Sequence, residues 1–551
     1  MNPSDDTDWA SYAAGVCAVF GRHRLPSMKL GADLLETSTL LKRESFALRG
    51  FSILCLFVPV PAFLFAIFGM ETTGLHLLFV PALFLLIALV TALQSLNRDT
   101  ISNKLLVRTA CVLLPLNLML QIAAAYFLAV YPAWDFGAVF LSAYEFVTKG
   151  EFLSYPVYFY RYPHNRGSLL LLYTLFQIPH RLGLRTLDRF LAWGIGFNLA
   201  AIQLANLLML LFCKKTWGNR VALLYLYASV FFLPNILYGA IVYTDTLSMP
   251  FVAAVLLLFC LYLRSDTRPR RIFCLLLLSL VSFWGIQIKA TVGIVLIAIL
   301  LYALFSFPFR RFLAVLLLTL LPFLPLQLGH RQALTPFHFS QEAQHDYQYP
   351  AEYWLYVGLK WDGNANDADY NYVQEIHNYD ARKTALQQGI QHRIKDYGLW
   401  GMAAHFIKKS VFTYGDGSYY APEKLSREPL RRTSLGDFIY GDCSEIFDFL
   451  TTGGQLLLLS LLILGFLSAL RDKVLSAKSL LNLILFGLVL FLAIWETRSR
   501  YLLNYSPVML ALAAKNLTDL VDAIVNRAGK YILPDEQAPA SAHVSDPHFF
   551  R

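Results

Sequence analysis

Long apolar blocks alternate with short polar ones along most of this chain. A helix needs roughly 20 apolar residues to cross the hydrocarbon core of a bilayer, with about 17 as a lower limit. Twelve segments meet or approach that length: Phe51 to Met70, Leu75 to Leu93, Ala110 to Tyr131, Phe190 to Cys213, Val221 to Gly239, Thr246 to Leu263, Ile272 to Ile288, Thr291 to Phe307, Phe312 to Leu328, Gly454 to Leu470, Leu480 to Trp495, and Tyr501 to Leu517. A thirteenth, Ser168 to Leu182, is shorter and holds Gln177, Pro179 and His180. Between Gly329 and Gly453 the pattern changes to a tyrosine-rich stretch of mixed charge, about the size of a small domain. Inside it, "LWGMAAHFIKKSVF" sets apolar residues at helical spacing beside Lys408 and Lys409. That spacing suits a helix lying on a membrane surface, or a plain solvent-facing helix.

The pattern predicts an all-α polytopic membrane protein of about 12–13 transmembrane helices with a small extracytoplasmic region. Its expected divisions are 1–109, an N-terminal part with a transmembrane hairpin; 110–328, a central transmembrane module with a polar loop at 132–167; 329–453, the loop region; 454–519, the C-terminal helices; and 520–551, a cytoplasmic tail. Composition sharpens this: 57% of residues are apolar and 15% charged, against about 25% charged in soluble domains, and the mean hydropathy is +0.50. The net charge of +9 does not imply nucleic acid, because Lys and Arg fall in short clusters between apolar blocks, as orientation signals do. The seven cysteines form no CxxC pair and mostly sit inside apolar blocks, which suits packing rather than a disulfide or metal framework. The apolar stretch Trp9 to Phe20 follows Asp5, Asp6 and Asp8 instead of a basic region, and so does not read as a signal peptide.

Orientation follows from the cations. Arg22, Arg24, Lys42, Arg43 and Arg49 precede the first span, which makes the N-terminus cytoplasmic. Counting forward, "NRDTISNKLLVR", "KKTWGNR", "RSDTRPRR", Arg310 with Arg311, and "RDKVLSAK" are all cytoplasmic provided that Ser168 to Leu182 does not cross fully. That segment is therefore expected to be a partial or re-entrant helix. The same parity puts the 132–167 loop, Asp245, Lys289, Glu496 and the 329–453 region on the outer side.

Charges close to membrane depth are costly and tend to be functional. The loop from Tyr131 to Gly167 carries Asp135, Glu145, Lys149, Glu151, Arg161 and Arg166. Asp135 directly follows an apolar block in "PAWDFG", and Asp245 opens another in "VYTDTL", where Thr244 and Asp245 would also serve as helix N-caps. Lys289 joins two blocks with no polar loop around it, and Arg498 and Arg500 stand beside Glu496 and Tyr501. Cations outside, against the usual bias, suggest a bound anion such as phosphate, which guanidinium matches with paired donors. An internal ion pair from Glu496 to an arginine is the alternative. Acids that could deprotonate a hydroxyl, beside cations that could hold a half-buried phosphate, fit transfer of a sugar from a lipid-linked phosphate donor. The carboxylate would be the general base, and the cations would stabilise the departing phosphate.

The order of these features resembles a known family. An acid just after an early span, a following loop with amphipathic pieces, a second acid in "YTDTL", and a late "ETRSRYLLNYSPVM" are similar to the GT-C superfamily of membrane glycosyltransferases, in the bacterial branch related to protein O-mannosyltransferases and the lipid A aminoarabinose transferase. The resemblance runs from about Ala110 to Leu517, and "YFYRYPHNRGSLLLLY" and "KKSVFTYGDGSYY" resemble elements of Gram-positive members. It implies a GT-C-like core in 110–328 and a first outer loop at 132–167. It also implies an inverting transferase, acting at the extracytoplasmic face of the cell membrane, that uses a polyprenyl-phosphate-linked sugar and a cell-envelope acceptor: glycan, lipid or protein.

On that resemblance, Asp135 and Asp245 are the catalytic acids. Lys289, Arg498, Arg500, Arg161 and Arg166 hold the donor phosphate, and Glu496, Tyr501 and Glu145 support them. Many members pair two acids in this loop, whereas Asp135 stands between Trp134 and Phe136, which leaves Glu145 or Glu151 as substitutes; the two spans before the usual first helix imply an added hairpin. A transporter or lipid flippase is the rival reading, and would favour broken helices near the midplane and inverted repeats; the sequence shows no repeat, and its charges cluster on one face. His330, His338 and His345 fit no compact metal-ligand pattern, while an acid pair could hold a divalent ion or none.

Overall fold

The computed structural model describes residues 46–47, 49–54, 57–70, 82–83, 86–87, 90, 101–472 and 474–532. The predicted span Leu75 to Leu93, the stretch Trp9 to Phe20, the cations from Arg22 to Arg43 and the end of the tail lie outside the described residues, wholly or for the most part. Within them the fold is all α, and the sole pairing of extended backbone is an isolated antiparallel bridge between Val130 and Pro429.

Eight described helices are long and apolar enough to cross a bilayer: Arg49–Gly69, Asn103–Leu128, Leu187–Trp217, Thr244–Leu263, Arg268–Ile288, Phe309–Phe337, Ser444–Ala469 and Ala477–Ile494. The predicted block Val221 to Gly239 is bent: Asn219–Val230 and Leu233–Ala240 meet at 57°. Pro234 has no N–H to continue the first helix. The carbonyls freed at this break are taken by buried side chains, with Asn117 donating to Val230 at 2.8 Å and Gln121 to Asn235 at 3.3 Å. Irregular backbone at membrane depth is tolerated where side chains satisfy it in this way.

The block Thr291 to Phe307 becomes the shorter apolar helix Ala290–Ser306. The block Tyr501 to Leu517 becomes a 3-10 turn, Ser499–Tyr505, running into the helix Ser506–Ile532. The thirteenth block is the helix Arg166–Arg181, of 16 residues. At 1.5 Å per residue it spans about 24 Å, short of the roughly 30 Å hydrocarbon core.

Contacts sort the loops into two ends. At one end the Asn219 amide donates to Ile101 O at 2.8 Å, Arg264 donates to Lys215 O, and Arg311 donates to the Tyr262 hydroxyl at 3.1 Å. There too Arg220 pairs with Asp522 and Lys478 with Asp519, at 2.8 and 3.1 Å. All five basic clusters that the sequence singles out after the first spans thus share one end. At the other end the 329–453 region covers the bundle. Tyr131 N donates to Glu428 O at 2.8 Å, Glu496 N to Trp354 O at 3.0 Å, and Thr497 N to Gly363 O at 2.9 Å.

That region has a small core of its own around Tyr349, Tyr353, Val357, Val373 and Leu386. It does not leave "LWGMAAHFIKKSVF" free on a surface. The helix Tyr379–Tyr414 kinks at Gly398, where φ is 55°, and its second half packs on Pro59–Gly69. Leu399 and Trp400 stay exposed, but Lys409 is buried because its ammonium donates to Gly358 O at 2.9 Å and to Trp495 O.

Candidate functional site

Three chain segments end at the covered end of the bundle and carry charge there. The first is "PAWDFG". The helix Asn103–Leu128 stops, and a new helix, Trp134–Lys149, begins almost at once with Asp135 in its first turn. The turn is tight: a Cβ on Gly137 would sit 2.6 Å from Pro132 O, so only glycine allows this approach. Trp134 adopts φ 56°, a costly conformation for a bulky residue, and Arg427 covers its ring at 4.6 Å.

The second segment starts the helix pair Thr244–Leu247 and Met249–Leu263. Neither Thr244 nor Asp245 caps it as its composition suggests; Tyr243 stands at the cap position, and the Asp245 carboxylate instead forms an ion pair with Lys289. Lys289 ends the helix Arg268–Ile288, which forms the third approach. The Lys289 ammonium also lies 5.3 Å over the Tyr501 ring.

Arg500 joins these pieces. Its guanidinium lies 3.5 Å from Asp135 Oδ2 and 3.7 Å from Asp245 Oδ2, so one cation faces both acids. The ring of Tyr501 lies 5.1 Å away and that of Tyr243 5.6 Å. The Arg500 side chain is 7% exposed, yet its Nε and Nη1 have no hydrogen-bond partner. Buried donors are nearly always satisfied, so two idle ones are a feature to be explained.

The two acids differ in access. Asp245 is 3% exposed and neutralised by two cations, whereas Asp135 is 42% exposed. Asp135 accepts a hydrogen bond from the Tyr158 hydroxyl at 3.1 Å, and that hydroxyl accepts one from Asn165 at 2.8 Å. Loss of water raises the Asp135 carboxyl, but Arg500, Lys424 and the Tyr158 hydrogen bond outweigh it and hold the group below its ordinary value. It is therefore ionised at neutral pH.

Two residues of this neighbourhood are absent from the sequence reading. Lys424 is buried close enough to Arg500, Asp135 and Asp245 to feel their charges, and burial together with Arg500 pushes its ammonium well below the usual value. Asp416, in "YGDGSYY", accepts from Ser418 N and Tyr420 N at 2.8 Å each and from the Ser499 hydroxyl at 2.5 Å. It thereby clamps the backbone next to Arg500. A lysine or aspartate in a polar stretch is unremarkable by composition, and no apolar flank marks either one.

Other expected members lie elsewhere. Glu145 is occupied by its own loop, accepting from Leu153 N at 2.9 Å, Ser154 N at 3.0 Å and the Ser154 hydroxyl, which removes it as a substitute base. Arg161 was expected at the phosphate; its guanidinium instead reaches the Tyr370 hydroxyl at 2.5 Å and packs 5.5 Å from the Tyr349 ring. Arg166 likewise turns away, donating to Phe159 O at 3.1 Å and lying 4.1 Å over Phe339. Arg498 stands beside Arg500 in sequence but donates to Asn364 and stacks 4.7 Å over Tyr420. Glu496 makes no ion pair with either arginine; it is buried, accepts from the Tyr501 hydroxyl at 3.0 Å, and burial raises its carboxyl above the ordinary value.

The donor set does not suit a metal ion. The two carboxylates converge on a guanidinium, and among the described residues no three His, Cys, Asp or Glu side chains stand together as metal ligands.

The chain matches the model of a family described as a conserved hypothetical integral membrane protein over residues 62–521. No curated protein matches it in sequence. Among solved structures it is similar to the archaeal oligosaccharyltransferase AglB from Archaeoglobus fulgidus, in complex with an inhibitory peptide and a dolichol-phosphate. Identity there is 12% and the TM-score 0.39, over 77% of this chain and 52% of that one, so the chain spans about half the length of the archaeal protein. It is also similar to ArnT from Cupriavidus metallidurans bound to undecaprenyl phosphate, at 14% identity and a TM-score of 0.29, over 78% of this chain and 81% of that one. At these scores neither likeness carries an argument, and the chemistry rests on the site's own residues.

Proposed function

The chain belongs to this family of conserved hypothetical integral membrane proteins, and we propose that it works as a GT-C-type glycosyltransferase, moving a sugar from a polyprenyl-phosphate-linked donor to a cell-envelope acceptor on the outer side of the cytoplasmic membrane. The observation that carries the proposal is the charge arrangement around Arg500. Lys289 and Arg500 face the two carboxylates, Lys424 stands beside them with its ammonium depressed, and Arg500 keeps two buried donors unused. A phosphate would take up those donors and draw a proton onto Lys424.

In this reading the donor phosphate sits on Arg500 with Lys289 and Lys424 nearby. The acceptor hydroxyl approaches the opposite side of the anomeric carbon and gives its proton to Asp135, the more open acid. Its oxygen bonds to that carbon as the bond to the phosphate oxygen breaks, and the three cations stabilise the charge that develops there. Asp245 holds Lys289 and Arg500 in place. The basic loops at the far end of the bundle support placing the site outside, since such clusters favour the cytoplasm.

The test compares two variants in lipid discs. Asp135→Asn keeps shape and removes the base, so turnover should fall about 100-fold or more while polyprenyl phosphate still binds. Arg500→Ala should weaken that binding by about 1.5 to 3 kcal/mol, the loss of one charge-assisted hydrogen bond. Turnover that survives in Asp135→Asn but disappears in Asp245→Asn would move the base to Asp245. Unchanged phosphate binding in a folded Arg500→Ala protein would remove the donor site.

A further inference from the structure

A separate cavity of about 800 Å³ opens near the charged cluster. It lies between Pro163 and Arg166, the end of the helix Arg268–Ile288, and the first part of the 329–453 region. Five glutamines line it: Gln287, Gln327, Gln341, Gln344 and Gln348. Each amide offers two donors and a carbonyl acceptor, a combination that suits hydroxyl groups, which both give and accept hydrogen bonds.

Its charge is mixed: His345 on the wall stands 3.3 Å from Asp380 and 4.0 Å from Asp346, but the two arginines have no such partner. Arg166 and Arg331 both line it, and among the described residues no carboxylate stands within ion-pairing distance of either. The buried Nη2 of Arg166 has no hydrogen-bond partner. His330, on the same wall, is only 5% exposed and packs against Phe283 and Trp284, yet neither ring nitrogen has a partner. Idle buried nitrogens around one polar cavity point to a bound group, since buried polar atoms are otherwise paired.

Two chain segments connect this cavity to the acid and the cations. Arg166 follows Asn165, whose amide holds the Tyr158 hydroxyl that in turn donates to Asp135. Gln287 precedes Lys289 by two residues, and its carbonyl would lie 2.1 Å from a Cβ at Gly167, so the two segments are in direct contact.

We infer that this cavity is the acceptor site and that the acceptor is an anionic saccharide, its hydroxyls held by the glutamines and its carboxylate or phosphate by Arg166, Arg331 and His330. The inference rests on the transferase reading above. One acceptor hydroxyl reaches past Tyr158 to Asp135, loses its proton there, and forms the new glycosidic bond as the sugar–phosphate bond breaks and the lipid phosphate departs.

The test measures binding of three probes to the purified full-length protein in lipid discs by calorimetry: a galacturonate trimer, a glycerol-phosphate oligomer, and the neutral trimer maltotriose. At least one anionic probe should bind, and maltotriose should bind at least tenfold more weakly. Arg331→Gln and Arg166→Gln should each weaken the anionic probe at least tenfold while leaving polyprenyl phosphate affinity and the unfolding midpoint unchanged. Preference between the first two probes tells a carboxylate from a phosphate. Equal binding of all three, no binding of any, or anionic affinity unaltered in both variants would overturn the inference. Loss of polyprenyl phosphate binding in Arg331→Gln would assign the cavity to the donor and overturn it too. Because Arg500→Ala tests the donor site separately, the acceptor inference can fail while the transferase reading stands.

Discussion

Among the described residues Arg500 is the one side chain within ion-pairing distance of both acids. Asp135, Asp245, Lys289 and Arg500 are visible in the sequence for a shared physical reason: a charge next to an apolar block is costly, so it stands out against its flanks. Lys424 carries the same kind of charge without that contrast, and only the fold reveals it. Its position makes a prediction. Burial and Arg500 depress its ammonium, so a bound phosphate must raise it, and binding must take up a proton. Polyprenyl phosphate affinity should therefore fall as pH rises through the window between the depressed value of the free protein and the higher value that a bound phosphate gives the group. Calorimetry in buffers of different ionisation enthalpy should register the uptake, and Lys424→Met should abolish it. Identical proton uptake in that variant would place the effect on another group.

At the scale of elements, helices were legible wherever an apolar block was long, and their interruptions were not. Pro234 breaks a block that by length alone reads as one span, and the side chains that repair the break, Asn117 and Gln121, lie far away in sequence. The helix that bears Asp135 depends on a different detail. Gly137 lets its first turn fold back on Pro132, and an added methyl group would force that turn to open. Gly137→Ala should thus move Asp135 away from Arg500 and lower turnover by about tenfold or more, with the cations, and so donor binding, largely unaffected. A fully active alanine variant would show that the turn tolerates a shift without moving the acid.

The molecule as a whole is polarised: basic loops at one end, the acid–guanidinium cluster and its cover at the other. Alternation of apolar and basic segments was enough to expect that arrangement, because each cation cluster reports its own side independently. The packing inside the 329–453 region was not legible, since its contacts pair residues from distant segments, as in the donation from Lys409 to Trp495 O. The polarity can be checked by labelling. Cysteines placed at the exposed positions Asp266 and Gln388, in a variant lacking the exposed Cys111 and Cys443, should react differently with an impermeant reagent applied to intact cells. Gln388→Cys should label and Asp266→Cys should not. Equal labelling would contradict the two-ended arrangement.

On the proposed transfer, the cations that gather around a bound phosphate have a consequence for the end of the reaction cycle. A sugar-bearing lipid phosphate carries less negative charge than the spent carrier that remains after transfer. Lys289, Arg500 and a Lys424 that the bound phosphate protonates attract the more highly charged species more strongly, and because the cluster is largely buried, salt in the medium screens that attraction only weakly. The spent carrier is then a better ligand than the substrate. Turnover would be governed by how fast the used lipid leaves, and the rate would slow as the carrier accumulates unless it is withdrawn and recharged.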